Sequence, residues 1–373
     1  MYGIYIHIPF CERKCFYCDF YSIDNFSFID DFIFSLEKEI HLKSINYPDR
    51  KIDTIYIGGG TPSTLSNDKI ERILKAIDNN FIKNSDIEIT IECNPNSLNK
   101  EKLSFYKQAG INRISLGVQS FIDKDLKFLQ RLHNLKEARE SIENTINTGF
   151  NNFNIDLIYA IPNTSISDIE YNLYEILKYN PPHISAYSLI YEEGTPLYDD
   201  FISNKIEKIN ENLESEMYSF IISYLESSGY LHYEVSNYSL KGFESKHNSK
   251  YWQHKEYLGF GPAAHSFVNN ERLWNYSDLK KYIFSLKNNT LPIENYEILT
   301  DKMYFEEMIF LGLRSFGINI KKINEKFNID FLKEKENIIA NLMENNFIRI
   351  DNDHIYLTKK GFLLCDEICL KLI

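Results

Sequence analysis

Cysteine is scarce in this chain, basic charge is outnumbered, and no apolar run approaches the ~20 residues that a membrane-spanning helix needs. Each shortage excludes something. Lys and Arg total 41 against 53 Asp and Glu, a net charge of -12, which argues against broad electrostatic binding to nucleic acid. An integral membrane protein is not expected. No basic segment followed by an apolar stretch opens the sequence, so export is not expected either, and the expected location is the cytoplasm. Thiols stay reduced there, and the six cysteines are expected to be free or metal-bound rather than paired in disulfides. Apolar residues are plentiful. At 43% hydrophobic and 14% aromatic, 373 residues can fill one large α/β domain and a smaller companion.

The first half alternates β-rich runs with helical patterns. "IYIHI" precedes an amphipathic stretch from about Phe28 to Leu42, and "IDTIYIGGG" precedes "NDKIERILKAI". The rhythm continues through "IEITIEC", "INRISLGVQ", "FNIDLIYAIP" and "HISAYSLI", giving six predicted strands, each followed by a segment that can be helical. Such repetition predicts an α/β fold with a parallel sheet, either a barrel or a doubly wound sheet. Unusual residues gather where the strands end: three cysteines, "GGGTP", Glu92, Gln119 and Asp156. A barrel collects strand C-termini on one face, where a site can form.

After Thr195 the rhythm is lost. A long helix is predicted over Glu207–Tyr230, then an irregular region over 231–299. From Asp301 the chain reads as three helices, a hairpin with its turn at Asn352–Asp353, and a last helix, a winged-helix-like pattern over 300–373. With 11 Lys and Arg against 12 Asp and Glu from Asp301 onwards, this segment lacks the basic footprint of a DNA reader and suits packing or partner contact.

Cys11, Cys15 and Cys18 stand at spacing C-x3-C-x2-C after the first strand. A structural zinc site usually takes four ligands in paired units, and no second pair lies at usable spacing. Cys93, Cys365 and Cys369 sit in their own strand or helix patterns and read as buried small hydrophobes. An iron–sulfur cluster with one open iron suits three soft thiolates.

That spacing, with Tyr17 before the third cysteine and "GGGTP" after the second strand, resembles the radical S-adenosylmethionine superfamily. The resemblance implies a [4Fe-4S] cluster on Cys11, Cys15 and Cys18, with S-adenosylmethionine chelating the free iron. "YIHIPFC", "GGGTPS", "IECNP", "ISLGVQSF", "DLIYAIP", "YEVSNY" and "LTKKGFLLCDEI" together resemble the oxygen-independent coproporphyrinogen oxidase group. This implies a partial (β/α)6 barrel over 1–230, the connecting region 231–299, and that group's small C-terminal domain over 300–373. It further implies that Tyr5, Tyr17, Gly59, Gly60, Thr61, Glu92, Gln119, Arg131, Asp156 and Ile190 contact S-adenosylmethionine.

Two departures matter. Members that oxidise coproporphyrinogen carry a fourth cysteine where this chain has Phe20, and a longer segment before the first strand. Both departures, and "HNSKYW" over 247–252, resemble the HemW family of haem chaperones. That family implies haem binding through His247 and delivery of haem to an acceptor haemoprotein, membrane-associated respiratory acceptors included. "GFGPAAHSF" also resembles the family, but a structural role serves its His265 equally, and it is left out of the ligand set. The alternatives stay open at this point: a coproporphyrinogen III dehydrogenase performing radical decarboxylation, or a radical enzyme with an unrelated substrate.

Overall fold

The computed structural model describes residues 1–47 and 51–373. Six strands run parallel in chain order: β1 (Tyr2–Ile8), β2 (Lys51–Gly59), β3 (Ile82–Cys93), β4 (Arg113–Gln119), β5 (Phe153–Tyr159) and β6 (His183–Ser188). Neighbours in space are neighbours in sequence, so the sheet has no switch point. This decides between the two predicted architectures in favour of the barrel. Helices Ile29–Asn46, Asn67–Asn80, Lys100–Gln108, Leu135–Asn147, Ile166–Leu177 and Glu211–Ser227 follow the strands in turn.

The strand sequences say which way each face looks. Side chains alternate along a strand, and Ile4, Ile6 and Ile8 lie with Ile55, Ile57, Ile89 and Ile91 in one core that also holds Phe32, Leu36 and Ile40 of the first helix. The intervening residues face the interior and are polar. Thr54, Tyr56, Glu92, Ser115, Asn154, Asp156, His183 and Ser185 bond to one another or to nearby side chains, and Glu88 accepts from a backbone amide. The side chain of Asn154 alone links Ser115, Asp156, His183 and Ser185.

The barrel does not close. The region read as irregular, 231–299, instead contains six short strands and two helices, and this corrects the sequence reading. β7 (Leu231–Glu234) and β8 (Asn237–Ser239) extend the sheet antiparallel beyond β6. On the other side β9 (Tyr257–Phe260) pairs parallel with β1, and β10 (His265–Val268), β11 (Glu271–Asn275) and β12 (Ile293–Ile298) follow antiparallel. These strands are three to six residues long, too short to show a period against their Gly- and aromatic-rich surroundings. Helix Lys246–Trp252, the "HNSKYW" segment with Lys246 before it, lies across the N-terminal ends of the barrel strands. The Lys246 and His247 amides donate to the Glu88 carboxylate at 3.3 and 3.1 Å, and the Lys250 ammonium pairs with Asp53 at 2.7 Å.

The C-terminal segment has its own core, including Ile309, Ile323, Phe331, Ile355 and Cys369. Its three strands, β13 (Ile318–Asn319), β14 (Ile348–Asp351) and β15 (His354–Leu357), are ordered β13-β15-β14. The predicted turn is present: Asn352 and Asp353 have φ of 47° and 61°, the positive pair of a two-residue hairpin. Glu307 anchors this domain by accepting from His254 at 2.6 Å and from Arg272 at 2.8 and 2.9 Å. Among the described residues no helix is long and apolar enough to cross a membrane.

Helix Ile29–Asn46 ties the β9–β11 extension to the barrel through a buried carboxylate. Glu39 is inaccessible and accepts from Lys43 (2.8 Å), the Gly261 amide (2.8 Å), Asn275 (2.7 Å) and the Tyr282 hydroxyl (2.7 Å). Removing it leaves the Lys43 ammonium, which is 4% exposed, with the Gly259 carbonyl at 2.6 Å but without this carboxylate. Glu39→Ala should therefore cost about 3–5 kcal/mol in urea-monitored unfolding; a loss below about 1 kcal/mol would show that the network is dispensable.

Candidate cluster and cofactor site

The cluster loop leaves β1 at Ile8, and the loop after β2 is sewn to it. The Gly60 amide donates to the Ile8 carbonyl and the Thr61 amide to the Phe10 carbonyl, both at 2.8 Å. The contact leaves no room at Gly60. A Cβ there would stand 2.7 Å from the Phe10 oxygen and 3.0 Å from the Cys11 sulfur. Gly59, at φ +109°, would put one 2.7 Å from the His7 ring.

A hydrogen-bonded circuit then joins two of the three thiols across four segments. Thr61 Oγ1 lies 3.3 Å from Cys11 Sγ and accepts from the Asn94 amide at 3.1 Å. Asn94 Oδ1 accepts from Arg131 at 2.6 Å, and Arg131 also donates to the Gly117 carbonyl at 2.9 Å and to Cys15 Sγ at 3.3 Å. Tyr17 bonds the same guanidinium. Burial is the main cause that raises Cys11 and Cys18, the latter to about 11, and the neighbouring Cys15 sulfur adds to both. Among the described residues no three His, Cys, Asp or Glu side chains converge on one metal ion, so the zinc alternative has no complete donor set. Thiolates that hold an iron–sulfur cluster need not share one ion.

Beside this circuit lies a second group. The Tyr56 hydroxyl and the Gly59 amide donate to Glu92 at 2.7 and 3.1 Å, and Tyr5 stacks on Tyr56 at 6.2 Å. Burial lifts the Glu92 carboxyl to about 7. Asp156, bonded by Asn154 at 2.6 Å, is raised by burial as well. Gln119 ends β4 at φ 70°, a left-handed conformation costly for a residue with a side chain, and its buried Oε1 has no partner. Arg131 Nε is likewise buried and unpartnered. Ile190 stands just beyond β6 with 61% of its surface exposed.

The structure thus gathers Tyr5, Tyr17, Gly59, Gly60, Thr61, Glu92, Gln119, Arg131 and Asp156 with the cysteine loop at the C-terminal ends of the strands. Asn94, Tyr56 and Gly117 belong to the same constellation and were not singled out. Asn94 lies inside "IECNP", and Tyr56 falls on the inward alternation of β2, so a signal for both was present. His247 lies elsewhere. It is 1% exposed at the opposite end of the barrel, stacked on Tyr56 at 5.3 Å, with Nδ1 bonded to Thr54 (2.9 Å) and Nε2 to Tyr251 (2.8 Å). In this arrangement it offers an iron neither a lone pair nor an open edge, contrary to the axial-ligand expectation, because its helix turns it into the barrel.

Three thiols on a loop after β1, a glycine contact that admits no Cβ, and buried acceptors at the ends of β3–β5 define a radical S-adenosylmethionine barrel. In agreement, residues 5–173 match the Radical SAM superfamily and residues 299–364 the HemN C-terminal domain. The fold is similar to that of the radical SAM enzyme coproporphyrinogen III oxidase (HemN) of Escherichia coli, with a TM-score of 0.85, 22% identity, and coverage of 99% of this chain and 89% of that one. The sequence is closer to another group. The heme chaperone HemW of Bacillus subtilis is 35% identical, over 99% of this chain and 98% of that protein; the HemW of Lactococcus lactis is 37% identical, over 99% and 96%. The chain belongs to the HemW family.

The buried ionisable groups set a pH profile for folding. Burial lowers His7 and His232 to about 4 and His247 to about 3, whereas an unfolded imidazole titrates near 6.5. The unfolded chain binds more protons in that window, so stability is lost as pH falls below about 6.5. Glu92 and Glu234 are raised by burial to about 7 and 8, against 4.5 unfolded. The native state keeps those two protons, and their contribution is lost as pH rises through those values. The urea midpoint of cluster-free protein should therefore peak near pH 6.5, and Glu234→Gln should flatten the alkaline limb. A midpoint that rises steadily to pH 8.5 would contradict this assignment.

Proposed function

We propose that this chain is a haem chaperone that carries a [4Fe-4S] cluster and S-adenosylmethionine, binds haem as cargo and passes it to an acceptor haemoprotein. What supports the reading is one combination. Relatives named heme chaperones match the chain over nearly its whole length, and Phe20 stands where coproporphyrinogen-oxidising members carry a cysteine. Respiratory haemoproteins at a membrane fit as acceptors, and the cytoplasm as the place of loading.

The residues present suit the cofactors. Cys11, Cys15 and Cys18 would hold three irons and leave the fourth for S-adenosylmethionine. Once bound, the reduced cluster can supply an electron to the sulfonium. Arg131 has an unpartnered Nε for a carboxylate, and Gln119 an unpartnered oxygen for a donor. Glu92 and Asp156 offer acceptors for hydroxyl or ammonium groups. Gly59, Gly60 and Thr61 give close backbone approach, while Tyr5, Tyr17 and Ile190 supply apolar walls. Asn94 and Thr61 orient these groups and the thiols together.

Three measurements test the reading. Purified, cluster-reconstituted protein should shift the Soret band of added haem, and no shift would sink the chaperone role. Incubation of the reduced protein with S-adenosylmethionine and coproporphyrinogen III should yield no protoporphyrinogen IX; its formation would favour the dehydrogenase. Cys15→Ser should abolish the iron–sulfur absorbance, and a retained full cluster would refute the ligand assignment.

A further inference from the structure

A cavity of about 600 Å³ lies between the cluster loop and the β9–β11 extension, inside the ~300–1,000 Å³ range of small-molecule and cofactor sites. Of the residues assigned to S-adenosylmethionine, only Tyr5 lines it. We propose that this cavity is the haem seat, with the imidazole of His265 as axial ligand, and that His247 acts at a remove by fixing Tyr251 in the cavity wall. The proposal rests on the haem-chaperone reading and specifies where and how the cargo is held.

The walls suit a flat aromatic macrocycle. Phe20, Tyr21, Tyr251 and Tyr257 present aromatic surface, and Lys14 offers a cation for a propionate, although Asp19 lies on the same wall. Phe20 is 67% exposed, so its ring is open to a molecule entering the cavity it lines.

An axial imidazole must keep one nitrogen free for the iron. Three histidines are near enough to consider, and two are spent. His7 is 4% exposed, with its ring between the Tyr5 hydroxyl at 3.0 Å and the Tyr21 carbonyl at 2.8 Å. His247 is held by Thr54 and Tyr251 and does not reach the cavity. His265 differs: it is exposed on the cavity wall, and among the described residues no hydrogen bond engages its ring nitrogens. Its ring is nevertheless oriented, stacked on Trp274 at 5.7 Å and 22° across the β10–β11 pair. Its backbone is packed too. A Cβ at Gly259 would fall 2.0 Å from the His265 carbonyl oxygen, so only glycine allows β9 to pass there. His247 meets the cavity through Tyr251, whose hydroxyl it bonds and whose ring packs edge-on against Tyr257 at 4.6 Å.

The test is a haem titration of cluster-reconstituted protein, read by the Soret band and by electron paramagnetic resonance of the ferric form. Wild type should show imidazole ligation. His265→Ala should lose that signature and bind at least ~10-fold more weakly, and millimolar imidazole should restore the signature. His247→Ala and Tyr251→Phe should keep the signature while weakening binding by up to ~10-fold, as loss of a supporting contact does. Ser277→Trp, at another cavity-lining position, should weaken binding by filling the space. Unchanged cluster absorbance and circular dichroism identify properly folded variants. Wild-type ligation in His265→Ala, or its loss in His247→Ala with rescue by imidazole, would overturn the assignment of the ligand. Unaltered affinity in Ser277→Trp would overturn the seat. If wild type binds no haem, the chaperone reading fails and this inference with it.

Discussion

A guanidinium cannot shed its charge inside a protein, so an arginine held partly out of water dictates what surrounds it. Arg131 meets that demand at the ends of the barrel strands by drawing in the Asn94 amide, the Gly117 carbonyl and the Cys15 sulfur. Asn94 in turn engages Thr61, which reaches Cys11. One side chain thereby couples the loops after β1, β2 and β3 to the one after β4.

Much of this was legible before any coordinates. Six β-rich runs with helical spacers predict a parallel sheet, the family resemblance turns it into a barrel, and the apolar half of the alternation survives in Ile4, Ile55, Ile89 and their neighbours. The cysteine loop was legible because three thiols so close together have few uses in a reducing compartment. The β7–β12 extension was not, because strands of three to six residues carry too little pattern to separate from loop. For Asn94 the motif "IECNP" pointed to the residue but not to its role, which lies in meeting Arg131 at 37 positions' remove; spacing within one segment cannot convey that.

The histidines show the same limit more sharply. Motif resemblance singled out His247 and left His265 aside, yet burial and hydrogen bonding reverse their chemistry. An imidazole with both nitrogens engaged serves as a brace, and one with open nitrogens on a cavity wall serves as a ligand. The polar barrel interior explains the difference. Each inward-facing group needs a partner, since an unpaired buried one costs about 1–3 kcal/mol, and His247 supplies partners to Thr54 and Tyr251 while its amide satisfies Glu88. A residue committed to that lattice is not free to exchange cargo.

The short helix Lys246–Trp252 has a further consequence. It stoppers the barrel at the end away from the cluster, aided by Ser245, whose amide donates to the Tyr233 hydroxyl over His183. The same helix also carries Tyr251, which forms part of the cavity wall beside Lys14, Asp19 and Phe20 of the cluster loop. One element of seven residues is thus plug and panel at once, and any change that tilts it in its seat is felt at both.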